Sequence, residues 1–158
     1  MQLARSIFKA YDIRGVVDDT LTEPVVRAIG AALGLLIHRR GRPVCVIGRD
    51  GRLSGPRLVD ALASGLMDAG IDVIDIGQVP TPVVYFATVQ TGCGTGVAVT
   101  DSHNPPQYNG LKMMVAGQTL WVMTFKNSMR SSPQARSRPM WSRWVPSSGG
   151  VAVRIRPW

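Results

Sequence analysis

The chain has 158 residues, with 18 Lys and Arg against 10 Asp and Glu, a formal charge of +8 and a sequence pI near 10.5. That length suits one domain, or one domain with an appendage, and a hydrophobic fraction of 45% argues against a disordered chain or a disulfide scaffold. A basic balance would ordinarily suggest a nucleic acid or an anionic membrane, but the charge is unevenly spread. Residues 1–120 hold eleven Lys and Arg with all ten acids, whereas residues 121–158 hold seven Lys and Arg, no acid and all four tryptophans. The near-neutral part reads as the domain and the remainder as a separate tail.

In chain order, the opening segment places Arg5, Lys9, Asp12 and Arg14 where an export signal needs an apolar stretch. Thr22-Glu23-Pro24 supplies a cap, an early acid and a first-turn proline. Val25, Val26, Ile29, Leu33, Leu36 and Ile37 then recur at helical spacing until Gly41. Val44 to Gly48 is a short β-branched run expected to form a buried strand. A second helix is predicted from Ser54 to Gly70, a strand over Ile71 to Ile76, and a shorter helix from Thr81-Pro82 to about Gln90. Gly96 to Thr100 and Leu111 to Val115 complete the predicted strands. Alternation of this kind predicts an α/β fold, helices covering a mainly parallel sheet, with chemistry at the carboxyl ends of strands after Gly48 and Thr100. No apolar run approaches the roughly 20 residues that span a bilayer, so no membrane association is expected. Cys45 and Cys93 form no short metal-ligand spacing, and two thiols suggest a reduced, cytoplasmic setting.

Thr100-Asp101-Ser102-His103-Asn104-Pro105-Pro106 joins a hydroxyl nucleophile to an imidazole and an amide, and two prolines stiffen its exit. If Asn109-Gly110 is a tight turn, Lys112 returns to the same end of the sheet. Taken singly, Ser102, His103 and Lys112 are also what solvated loops contain.

The Ser-His-Asn-Pro string in this setting resembles the phosphoserine loop of the α-D-phosphohexomutases, the phosphomannomutase and phosphoglucomutase family. Phe8 to Gly15, Ile47 to Arg52 with Ser54-Gly55, Gly77 to Pro82 and Tyr108 to Lys112 are similar to further motifs of that family, in order. The resemblance implies a three-layer α/β/α first domain with a mainly parallel mixed sheet over residues 1–120. It implies an enzyme interconverting hexose 1-phosphate and 6-phosphate through glucose or mannose 1,6-bisphosphate. Ser102 would carry the transferable phosphate, which also offers a ligand to Mg2+. His103 and Lys112 would be acid–base or electrostatic groups, and Tyr11, Arg14 and Asn104 would bind substrate. For Arg14 the alternative is a structural ion pair; Arg49 and Asp50 are expected to shape their loop.

Two departures from the family pattern stand out. The residue before the phosphoserine is usually small, and Asp101 is expected to repel phosphates and to strain the backbone. The family has four domains, its metal-binding aspartates lie beyond the first, and domains II to IV would pack against this one. A fragment of this kind is expected to be inactive alone. The tail, residues 121–158, has no family counterpart and is expected to be disordered. Reading its reverse-translated codons from the third base of codon 121 permits Gly-Asp-Asp-Ile-Gln-Lys, which suggests a frameshift near codon 121 as one reading of the tail. The competing readings are a basic arm binding a polyanion and, for the domain, a non-catalytic remnant binding a phosphosugar or a protein. With most basicity in the tail, no nucleic-acid partner is expected for the domain.

Overall fold

The structure, a computed structural model, describes residues 4–120 and two short strand segments, 143–145 and 152–155. A 3-10 turn, Arg5–Ile7, precedes strand β1 (Asp12–Val16), helix α1 (Glu23–Arg39) and strand β2 (Val44–Arg49). Helix α2 (Gly55–Asp68), β3 (Asp72–Gln78), α3 (Thr81–Gln90), β4 (Gly96–Val99), β5 (Tyr108–Val115) and β6 (Gln118–Thr119) follow. Strands β7 (Arg143–Val145) and β8 (Ala152–Ile155) lie within the tail; the rest of that tail, with its expected disorder and frameshift, lies outside the described residues.

Local chemistry sets the helix limits. Thr22 is extended and its Oγ1 accepts from the Val25 N–H at 3.4 Å, Pro24 stands in the first turn, and His38 and Arg39 face the negative end of the helix dipole. Gly41, at φ +65°, takes the left-handed conformation that ends α1.

The strand order is β1-β5-β4-β2-β3-β8-β7, with β6 paired to β5. The sheet is less parallel than the alternation of elements suggests: parallel pairing is confined to β2 with β3 and with β4. Strand β5 runs antiparallel to β4, because the loop from 100 to 107 is shorter than a parallel crossover requires, and it is also antiparallel to β1. Helices α1 and α2 cover one face through Ile13, Ile29, Leu33, Ile47, Leu62 and Leu66, among others. Helix α3 contacts β2 and β4, and its Val84 packs with Val46 and Ala98 in a smaller cluster. The result is the expected α/β/α sandwich.

Helices α1 and α2 meet closely because glycines face each other's backbone. A Cβ on Gly30 would stand 2.5 Å from the Leu62 carbonyl oxygen, and one on Gly65 would collide with the Arg27 carbonyl oxygen. Gly65→Ala is therefore expected to cost about 2–3 kcal/mol in equilibrium unfolding, since the obstructing atom is backbone that cannot swing away.

The β5–β6 hairpin turns through Ala116 (φ 52°) and Gly117 (φ 77°), a two-residue loop with both residues left-handed. Alanine gains nothing in that region, whereas asparagine tolerates it. Ala116→Asn is expected to raise stability by about 0.5–1 kcal/mol, read from the denaturation midpoint.

Candidate active site

Polar side chains gather at the carboxyl ends of β2 and β4, neighbouring parallel strands. After β2 the chain turns through Asp50 and Arg52 into α2. The Asp50 carboxylate accepts from the Arg52 N–H at 3.0 Å and from Thr100 Oγ1 at 2.8 Å, tying this turn to the residue following β4. Asp50 thus shapes its loop as expected.

Arg52 makes the strongest connection. Its Nη1 donates to the carbonyl oxygens of Pro105 and Tyr108, each at 2.8 Å, and its Nη2 to those of Asn104 at 2.7 Å and Asp101. Nε has no hydrogen-bond partner but lies 3.4 Å from the Asp50 carboxylate. One planar cation thus gathers four carbonyl groups of the loop between β4 and β5, groups costly to bury unpaired. Buried Asn109 adds a second link, its Nδ2 donating to Ser54 Oγ at 2.8 Å.

Between these anchors Ser102 and His103 are exposed. The loop closes on itself through the Asn104 N–H, which donates to the Asp101 carbonyl at 3.1 Å, and the Tyr108 N–H, which donates to that of Pro105 at 3.0 Å. Asn109-Gly110 is not the expected tight turn. Both residues lie inside β5, opposite Gly15 and Arg14 of β1. Gly110 is needed there for close approach: a Cβ would stand 2.5 Å from the Ile13 carbonyl oxygen and 3.3 Å from Arg14 Cγ.

Strand β1 brings the N-terminal motif to this loop. Arg14 Nε donates to Asp12 Oδ2 at 2.8 Å, and its Nη1 lies 3.6 Å from Asp101 Oδ1. The hydrogen bond to Asp12, reinforced by the Coulombic attraction of Asp12 and Asp101, raises the Arg14 pKa above the usual arginine range. The structural ion pair considered for Arg14 is present. Asp101 is buried, and its Oδ2 accepts from Asn104 Nδ2 at 2.8 Å. Among the described residues the non-glycine positions of positive φ are Asp18 and Ala116, so the backbone strain expected at Asp101 is not found.

An open cavity of about 710 Å³ lies beside this cluster, lined in part by Lys9, Tyr11, Arg14, Asn104 and Tyr108. Three of the six expected site residues, Tyr11, Arg14 and Asn104, therefore share one concavity. Ser102 and His103 are outside its lining, on the adjoining loop. Lys112, half-buried in β5 and also outside the lining, is in register with Asp12 and so projects to the same sheet face. Tyr85 of α3 also feels this face: burial first, and then the charge of Asp12, raise its pKa. Among the described residues no group of three or more His, Cys, Asp or Glu is placed to hold a metal ion. Nor is any helix there long and apolar enough to cross a membrane.

Arg52 as a clamp and the pairing of Asp101 were not foreseen from sequence; the signal available was a second arginine in Gly-Arg-Asp-Gly-Arg, at a strand end facing a polar loop.

The fold and the site define an α/β/α domain with a polar serine loop after a central strand, and similarity to known proteins narrows the class. Residues 5–121 match the family described as phosphoglucomutase/phosphomannomutase, alpha/beta/alpha domain I, and the chain belongs to that family. It is 56% identical over 118 residues to a phosphomannomutase/phosphoglucomutase of Pseudomonas aeruginosa, covering 75% of this chain and 26% of that protein. A phosphoglucomutase of Neisseria meningitidis is 51% identical over the same length and shares. The crystal structure of a phosphoglucomutase/phosphomannomutase family protein from Burkholderia thailandensis superposes with a TM-score of 0.76 at 47% identity, over 82% of this chain and 30% of that one. The chain thus spans about a quarter of the length of the curated relatives it matches.

Replacing Arg52 tests the clamp. Arg52→Lys keeps the charge but loses the fork and is expected to cost about 1–2 kcal/mol, and Arg52→Ala about 3 kcal/mol, in equilibrium unfolding. Limited proteolysis should find the 101–108 loop cut faster in both variants.

Proposed function

We propose that the chain is the phosphoryl-carrying domain of a hexose-phosphate mutase, with Ser102 as the carrier. The observation that carries this reading is the exposed Ser102, on a loop whose carbonyls are locked by Arg52, next to a cavity bordered by Arg14 and Asn104. Transfer between phosphate esters is mainly a matter of positioning and charge neutralisation, which a rigid loop among cations supplies. In the forward step a hydroxyl oxygen of the bound hexose phosphate attacks the phosphorus on Ser102. The bond from phosphorus to Ser102 Oγ breaks, and the hydroxyl proton passes to His103 or Lys112. The serine oxygen then attacks the phosphorus at the other end of the bisphosphate; the bond from that phosphorus to the sugar oxygen breaks, and the freed oxygen takes up the proton, which regenerates the carrier. Tyr11, Arg14 and Asn104 bind the phosphorylated hexose.

Magnesium, if it serves this family chemistry, needs oxygen ligands beyond the single one that a phosphate on Ser102 would offer. The relatives' greater length supports domains II to IV as the source of the remaining groups, and the chain alone is assigned no complete turnover. We assign it to the cytoplasm, a setting consistent with two buried, unpaired thiols at Cys45 and Cys93.

Incubation of the full chain with millimolar radiolabelled glucose 1,6-bisphosphate and magnesium tests the carrier role. Label is expected on the protein and absent from Ser102→Ala. Label retained in that variant would overturn the assignment to Ser102. No label in either would favour a non-catalytic remnant that binds a phosphosugar.

A further inference from the structure

We infer that Asp101 is a specificity-determining residue of this site: its buried carboxylate engages the Arg14 and Asn104 groups that a phosphate would use, and so holds the site to weak binding of phosphate dianions. The inference rests on the phosphosugar reading just proposed. Asp101 is 2% exposed, with one carboxylate oxygen 3.6 Å from Arg14 Nη1 and the other accepting from Asn104 Nδ2 at 2.8 Å. Its backbone is held as well, since its carbonyl accepts from both Arg52 Nη2 and the Asn104 N–H. Turning the carboxylate out to solvent would break both its contact with Arg14 and its hydrogen bond from Asn104.

Arg14 is shared with a second acid, Asp12, whose carboxylate lies 2.7 Å from Nη2. Two carboxylates on one guanidinium leave that trio with a net charge of −1. The lining of the same cavity also carries one further cation, Lys9, and one further carboxylate, Asp19. A phosphate dianion approaching Arg14 meets a cation already neutralised, and displacing Asp101 would leave a buried carboxylate without its partners. Uncharged sugar hydroxyls meet no such opposition. The penalty is thus directed at the charge of the ligand, not at its size.

Asp101→Asn separates charge from shape, because its amide oxygen can still accept from Asn104 while the negative charge is gone. Asp101→Gly serves as a second variant lacking the whole group. The full chain and both variants would be titrated by NMR with inorganic phosphate, glucose 1-phosphate and glucose, at low and high salt. Phosphate and glucose 1-phosphate are expected to bind about tenfold more tightly to both variants, glucose equally to all three, with the difference shrinking as salt rises. Equal phosphate affinity in the chain and its variants would overturn the role of Asp101 and leave the phosphosugar site standing. Absence of phosphate and glucose 1-phosphate binding to all three, each folded by its spectrum, would overturn the phosphosugar reading and the role of Asp101 with it.

Discussion

The Arg52 guanidinium is the interaction on which the candidate site depends. It is planar and permanently charged, and two of its nitrogens satisfy four carbonyls of a loop that has little regular structure of its own. Without that cation the same carbonyls would need water, and the loop would have to open to admit it. The arginine is itself placed by Asp50, which turns its backbone and reaches Thr100 at the base of the loop. Rigid elements thus project their geometry onto an irregular segment: β2 and α2 fix Arg52, and Arg52 fixes the carbonyls on either side of Ser102.

The charges next to that loop form a balanced set. Asp12 and Asp101 both address Arg14, while Asp50 addresses Arg52. Pairing of this kind offsets part of the cost of taking each charge out of water. It also spends binding capacity on the protein itself. A phosphate site works best with cations whose partners are few, so the residue that steadies Arg14 also makes it a poorer anion ligand. Asp101, next to Ser102 in the chain and in contact with both Arg14 and Asn104, concentrates this conflict at one position.

Much of the sandwich was legible because its signals are local. The cap and periodicity of α1 and the β-branched runs of β2 and β4 each lie within a window of a few residues. Strand β1 was not foreseen as a strand, since Asp12-Ile13-Arg14-Gly15-Val16 is short and its partner strand, β5, lies far along the chain. Asn109-Gly110 misled for the opposite reason: the dipeptide is a strong turn signal taken alone, but the long-range bond to Ser54 and the tight space against Ile13 put it in a strand. At the site, Tyr11, Arg14 and Asn104 were found through motif resemblance. Arg52 was quoted in a motif yet given no role, because all four of its acceptors are about fifty residues away and none has a side-chain signature.

The strand order places β8 along the outer side of β3, with β7 beyond it. Ladder bonds are made by main-chain groups, so almost any sequence able to stay extended can fill such a berth. An added segment can therefore be accepted at the border of a sheet without adapted side chains, because a border strand offers main-chain N–H and C=O groups on its open side. The border of a sheet is thus a permissive place for further chain to dock, since main-chain pairing asks little of the side chains that arrive there.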